Sequence, residues 1–370
     1  MIYSIFRKCS HYSEKSAFLS ANEENTLDEK RNNHYGNRHN PLCTASIALL
    51  LIASAFFCTA CGAKNTPAPV SQSAFYLNTV VTITLYDGSD PALITECFEL
   101  CRHYEQEFSR TSEDSTLYRL NHDTETVRLL SDDLQSLVAT GLKYYELSGG
   151  LFDITVAPLS DLWQFSSANP AVPEESTLHD ALMHVDASQL KLDGNTLHYE
   201  DTDIQLDLGG IAKGYIADRL KEYLIEQGVT SALIDLGGNI LCIGAKPDGS
   251  PFRGGIREPF APQGTSIAVA AVSDLSVVTS GVYERCFTEG DILYHHLLDP
   301  KTGYPFNTGL NSVSIISKAS VDGDALSTVC FALGIEKGME LINSMPDVYA
   351  VFVTDENELV YSEGAETFFH

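Results

Sequence analysis

Four short segments of this 370-residue chain carry side chains whose types and spacing can do chemistry. Leu206–Asp218 reads L-D-L-G-G-I-A-K-G-Y-I-A-D, with glycines at 209, 210 and 214 around a strand-to-helix junction. Glycines there let backbone approach a ligand closely and leave helix N-terminal amides free for an anion, or they simply make a tight turn. The segment is neither GxGxxG nor a phosphate-binding loop of the nucleotide-binding kind. Ile234–Gly244, I-D-L-G-G-N-I-L-C-I-G, repeats Asp-Leu-Gly-Gly between two strand-like runs; it reads as a hairpin-like turn whose Asp235 and Asn239 can face a site. Tyr294–Pro305 is Y-H-H-L-L-D-P-K-T-G-Y-P, where Pro300 and Gly303 supply turn chemistry. His296 just before that turn suits proton transfer near neutral pH. Adjacent histidines in a strand point to opposite faces, so at most one of His295 and His296 serves the site. Ala319–Gly334 places Asp324 and Thr328 four residues apart, on one face near a helix start. A carboxylate and a hydroxyl so arranged are oxygen donors suited to magnesium; the plainer reading is a helix-terminal acid beside a packing threonine.

The elements that must hold these segments are mixed. Phe75–Tyr86 is β-branched and reads as a strand. After Pro91, residues Leu93, Cys97, Leu100, Tyr104 and Phe108 repeat at helical spacing. A second helix starts at Ser131 and stops at Gly149-Gly150, and a third runs from Ala212 to Gln227 with Gly228 as its stop. A further helix starts near Asp322. Strand-like runs recur at Ser231–Asp235, Ile240–Ile243, Ile267–Val272, Ser312–Ile316 and Val348–Val353, while 166–180 reads as a polar, Pro-containing loop or seam. Neither a regular βαβ alternation nor an all-β order emerges, so the fold class is α+β.

Composition narrows the partners. The chain has 23 basic and 50 acidic side chains, a net charge of −27, and residues 61–370 alone carry 17 and 45. Such a field repels phosphate backbones, which argues against nucleic acid; an anionic cofactor can bind only where a cation or oriented amides offset it. Cys97, Cys101, Cys242, Cys286 and Cys330 show no metal-type spacing, and Cys97 and Cys101 suit a helix core. The stretch Ala45–Ala60 is uncharged and mostly apolar, about the length of a signal-peptide core and short for a spanning helix. It ends in small residues before Cys61, resembling a lipoprotein signal in which Cys61 carries the lipid; an ordinary secretion signal or an uncleaved anchor is the plainer reading. The expected organisation is a signal and extension over 1–60, a Pro/Ser/Thr tether over 61–74, and one folded domain over 75–368, lipid-anchored to the membrane on its extracytoplasmic side.

Taken together, D-L-G-G-I-A-K-G-Y, D-L-G-G-N, H-L-L-D-P-K-T-G-Y-P and D-G-D-A-L-S-T-x-x-x-x-L-G resemble the ApbE family of FAD:protein FMN transferases. Ser148–Phe165, Phe108-Ser109 and Ser115–Asn121 extend the likeness, in family order, over about 75–368. The resemblance implies an ApbE-like fold of mixed or antiparallel sheets flanked by helices. It implies transfer of the FMN half of FAD to a threonine hydroxyl of a target flavoprotein through a phosphoester bond, with magnesium, releasing AMP. It places magnesium on Asp324, Thr328 and the carbonyl of Gly210. It places FAD against Leu77, Leu151, Phe152, Asp153, Asp207, Lys213 and Leu298, and it gives His296 the proton transfer. Leu77-Asn78 stands where many members have Met-Gly. Two alternatives share these motifs: hydrolysis of FAD to FMN and AMP, and a lipoprotein that only captures FAD.

Overall fold

The computed structural model describes residues 67–369 except Gln263. The expected signal, Cys61 and the start of the expected tether therefore lie outside the described residues. An eight-stranded sheet runs in the order β1 (Val70–Tyr76), β2 (Thr79–Leu85), β6 (Ala232–Leu236), β7 (Asn239–Ile243), β10 (Ser276–Gly281), β13 (Leu310–Ser317), β14 (Tyr349–Thr354) and β15 (Leu359–Tyr361). Every neighbouring pair in it is antiparallel. Smaller sheets join β3 (Val127–Leu129), β5 (Thr196–Tyr199) and β4 (Leu190–Asp193); β8 (Phe252–Arg257) with β9 (Ser266–Val272); and β11 (Cys286–Glu289) with β12 (Ile292–His295). The helices are α1 (Ala92–Phe108), α2 (Thr116–Asn121), α3 (Asp132–Leu147), α4 (Ala157–Trp163), α5 (Glu175–Leu182), α6 (Ala212–Glu226) and α7 (Ser320–Asn343). The class is α+β.

The helix ends follow their local chemistry. Ser131 caps α3 by accepting from the Leu134 amide, and Gly149 and Gly150 leave the helix at φ 63° and 80°. At the end of α6, Gly228 takes φ 86°, its amide donates to Ile225 O, and Val229 N donates to Leu224 O, closing a Schellman motif. Helix α1 buries Ile94, Cys97, Cys101, Tyr104 and Phe108. Leu93 and Leu100 only flank that stripe.

Several expectations are corrected. The single strand expected over Phe75–Tyr86 is a hairpin, and its first strand begins at Val70 inside the stretch assigned to the tether. Its two-residue turn is Leu77-Asn78, both left-handed at φ 56° and 57°, the geometry of a I′ hairpin turn made without glycine. The polar 166–180 stretch ends in helix α5. The strand expected to lead into the glycine-rich 206–214 segment is absent: β5 ends at Tyr199 and the chain reaches α6 as irregular backbone. Helix α7 begins two residues before Asp322 and is broken at Gly334, where φ is 75°.

Candidate active site

Helices α6 and α7 meet at Gly214. A Cβ there would stand 2.4 Å from Ser320 O and 2.6 Å from Val321 Cα, so this glycine serves helix contact. The contact is reinforced by Asp218, one turn along α6, whose carboxylate accepts from the Ser320 and Val321 amides at 2.8 and 2.9 Å. It caps the N-terminus of α7 from another helix. Burial pushes the Asp218 carboxyl up to about 6 despite those two amides.

Close approach at Gly214 brings its amide onto Asp324 Oδ2 at 2.9 Å. Asp324 is buried, and Lys213 Nζ lies 3.8 Å from its other oxygen, an ion pair without a hydrogen bond. Burial raises the Asp324 carboxyl and Lys213 opposes that rise. Because the Gly214 amide turns to Asp324, the carbonyl of Gly210 accepts no hydrogen bond among the described residues. One turn beyond Asp324, Thr328 Oγ1 shares a 3.1 Å hydrogen bond with Ser280 Oγ on β10, which also meets Ser327 Oγ at 2.8 Å. An open carboxylate oxygen and a hydroxyl on one helix face, with a free carbonyl in the segment that meets it, form a hard-oxygen set that fits magnesium. A separate group, His184, Asp201 and Asp203, holds its ligand-type atoms within 4.8 Å of one another and shares no residue with that set.

Lys213 also links this corner to His296. Burial holds the His296 imidazole well below its ordinary value, and the charge of Arg285, the neighbouring His295 and Lys213 push the same way. The ring is therefore neutral at neutral pH, and its Nδ1 is buried without a hydrogen-bond partner. His295 turns inward: it is buried, its Nε2 meets Phe306 O at 3.0 Å, and its ring lies edge-on to Phe331 of α7.

Beyond His296, the Asp-Pro-x-Thr-Gly turn closes on itself. Asp299 O accepts from Thr302 N and Gly303 N, and Asp299 N donates to Tyr304 O. Gly303 has φ 75°, and its carbonyl takes the indole N–H of buried Trp163 at 2.7 Å. Leu298 packs in the same cluster as Trp163 and Leu159. Lys301 Nζ reaches Gly149 O at 3.3 Å and so joins the turn to the segment holding Leu151, Phe152 and Asp153.

Phe152 is buried, with its ring 3.2 Å from where a Gly210 Cβ would stand. Asp207 N donates to Ile154 O at 2.7 Å, which fixes the 150s against the 206–214 segment. The Asp207 carboxylate meets Arg110 Nε at 3.1 Å, Ser160 Oγ at 2.9 Å and Gly209 N at 2.9 Å. Asp153 differs from the expectation that it faces a ligand. Its oxygens accept from Thr155 N, Thr155 Oγ1 and Ala187 N, so the side chain clamps its loop to residue 187. Leu77 lies at the β1–β2 turn with its amide on Glu105 Oε1 at 2.9 Å. That turn abuts the Gly237-Gly238 turn, where a Gly237 Cβ would stand 2.0 Å from Thr79 Oγ1. Hydrogen bonds and packing thus tie Leu151–Asp153, Asp207–Lys213 and Leu298–Gly303 into one wall; Leu77 stands at a neighbouring corner.

Sequence reading missed Arg110, Asp218, Ser280 and Arg285. Arg110 follows directly on the quoted Phe108-Ser109 pair, a signal that was within reach. Asp218 and Ser280 act across 102 and 48 residues of chain, a separation that spacing does not reveal.

Comparison with known proteins follows the same outline. The sequence model of the ApbE family matches residues 77–352. A FAD:protein FMN transferase of Treponema pallidum is 34% identical over 324 residues, 82% of this chain and 90% of that protein. One from Klebsiella pneumoniae is 33% identical over 295 residues, 79% of this chain and 91% of its own. The crystal structure of the Thermotoga maritima ApbE protein superposes with a TM-score of 0.76 at 28% identity, covering 82% of this chain and all of that one. The flavin transferase ApbE of Vibrio cholerae superposes at 0.73 with 28% identity, covering 81% of this chain and 99% of its own. By a family match across most of the described residues and relatives above 30% identity along most of both chains, this protein belongs to the ApbE family.

Proposed function

We propose that this protein is a FAD:protein FMN transferase that uses magnesium to move FMN from FAD onto a threonine hydroxyl of a target flavoprotein, releasing AMP. One observation carries the reading. A neutral imidazole with an unpartnered buried Nδ1 shares Lys213 with a buried carboxylate whose Oδ1 accepts no hydrogen bond among the described residues. Simple capture of FAD needs no such proton acceptor.

The acceptor threonine Oγ forms a bond to the FMN-side phosphorus while the bond to the bridging oxygen breaks. The electron pair leaves with the AMP phosphate, and the threonine proton passes to His296. The low affinity of free His296 for protons keeps it unprotonated and ready. Bound diphosphate offsets the charges of Arg285 and Lys213, which raises the imidazole's affinity for the incoming proton. Asp324, Thr328 and the Gly210 carbonyl would hold magnesium, which supplies Lewis-acid neutralisation of phosphate oxygens. Leu298, Leu151 and Phe152 give the flavin apolar surface. Cys61 bears the lipid and holds the domain outside the membrane, where enzyme and acceptor share one layer.

The test incubates residues 65–370 with FAD, magnesium and a flavoprotein fragment bearing the acceptor threonine. Equimolar AMP and an acceptor heavier by one FMN are expected. AMP released equally without acceptor, and none modified, would replace the transferase reading with hydrolysis. Lipid labelling and membrane retention should vanish in full-length Cys61→Ser; their persistence would remove the anchor.

A further inference from the structure

The geometry points to Arg285 as a catalytic residue that grips the non-bridging oxygens of the phosphate being transferred, an inference that rests on the transferase reading. In the β11–β12 hairpin, Cys286 stands opposite His295. The His296 amide donates to Arg285 O at 3.1 Å, which carries the ladder one pair further and sets Arg285 directly across from His296. Opposed residues project to the same face with Cβ atoms about 4.5–5.5 Å apart, so the guanidinium extends beside the imidazole.

Arg285 is exposed and makes no ion pair among the described residues. Its neighbour Glu284 is drawn to Arg257, at 3.6 Å. Arg110 and Arg219 are likewise taken by carboxylates. Arg119, Arg128 and Arg253 also make no ion pair among the described residues, but Arg285 is the one set across from the proposed base.

The position also fits the reaction. Attack on phosphorus concentrates charge on its non-bridging oxygens, and these lie next to the nucleophile and hence next to its base. Lys213, on the Asp324 side of His296, and Arg285, on the hairpin side, bracket the imidazole. A planar guanidinium offers two parallel N–H donors to two phosphate oxygens, which an ammonium does not. The donors strengthen as charge develops, so the benefit falls on the rate more than on FAD affinity.

The experiment uses the 65–370 domain with FAD, magnesium and the acceptor fragment, comparing Arg285→Gln and Arg285→Lys with Arg253→Gln, an exposed control on β8. Flavin binding and melting are measured in parallel on every variant: absence of transfer by the wild-type domain would remove the transferase reading and this assignment with it, whereas a loss confined to folded Arg285 variants bears on Arg285 alone. Arg285→Gln should lower kcat by about 10²–10³-fold with FAD affinity changed less than tenfold. Arg285→Lys should recover only part, and the acidic limb of the kcat profile should move to higher pH in the glutamine variant alone. Wild-type kcat in a folded Arg285→Gln, or a loss confined to FAD affinity, would overturn the assignment; so would full rescue by lysine. A glutamine variant that fails to fold leaves the lysine comparison decisive.

Discussion

Gly214→Ala tests how tightly the site depends on helix contact. The new Cβ would stand 2.4 Å from Ser320 O and 2.6 Å from Val321 Cα, both backbone atoms that no rotamer change can move. Restoring ordinary contact near 3.4 Å requires α6 and α7 to part by about 1 Å at this point. Overpacking of this kind costs about 1–3 kcal/mol. For a domain of this size that corresponds to a fall in Tm of roughly 2–10 °C. The parting also stretches the 2.9 Å bond from Gly214 N to Asp324 and shifts Thr328 on the same helix. A displacement of about 1 Å in catalytic geometry costs on the order of 10²-fold in rate. Melting without ligand and FMN transfer at saturating magnesium measure the two effects. A variant with unchanged Tm and unchanged transfer refutes the reasoning, because it would mean the helices part freely and the placement of Asp324 and Thr328 does not depend on their contact.

Other expectations follow from single residues. Asp324→Asn keeps an acceptor for Gly214 N and removes a buried charge, so its Tm without magnesium should not fall, while the rise in Tm on adding magnesium and FAD should disappear; Thr328→Ala should weaken that rise less. His296→Ala should bind FAD and slow transfer by roughly 10²–10⁴-fold, and a wild-type rate would assign the histidine to structure. Asp218 titrates near 6 when folded, against 3.8 as its ordinary value. The native state therefore holds an extra proton between those values, and the stability tied to this group is greatest below about pH 4 and declines as pH rises through about 6. The fall amounts to at most about 3 kcal/mol. Denaturant unfolding across that window should show the slope in wild type and a flatter one in Asp218→Asn.

What was legible in the sequence was whatever short-range chemistry determines. Ser131 and Gly149 bracket α3, Gly228 ends α6, and Gly237-Gly238 makes the β6–β7 hairpin, all through local turn and cap geometry. The Leu77-Asn78 turn was not legible, because Leu77 takes a left-handed backbone that a leucine seldom adopts, although Asn78 suits it. Short strands such as Cys286–Glu289 and Ile292–His295 lack an alternating pattern long enough to register. At the site, the grouping of motifs was legible, whereas the division of labour inside each motif was not. Gly214 serves helix contact and Asp153 a loop clamp, roles fixed by partners about 106 and 34 residues away that spacing cannot reveal.

Trp163 is the chain's one tryptophan, fully buried and bonded to the Gly303 carbonyl of the turn that follows His296. Phe165, Phe287, Tyr294 and Tyr304 surround its ring, and Leu298 packs beside it. The protein's indole emission therefore reports from a single known point beside the turn that follows His296. A flavin docked near Leu298 absorbs where indole emits, so energy transfer would darken that emission as FAD binds and restore it as the flavin departs on its acceptor. The fold carries a built-in optical gauge of site occupancy, readable in a stopped-flow trace without any label.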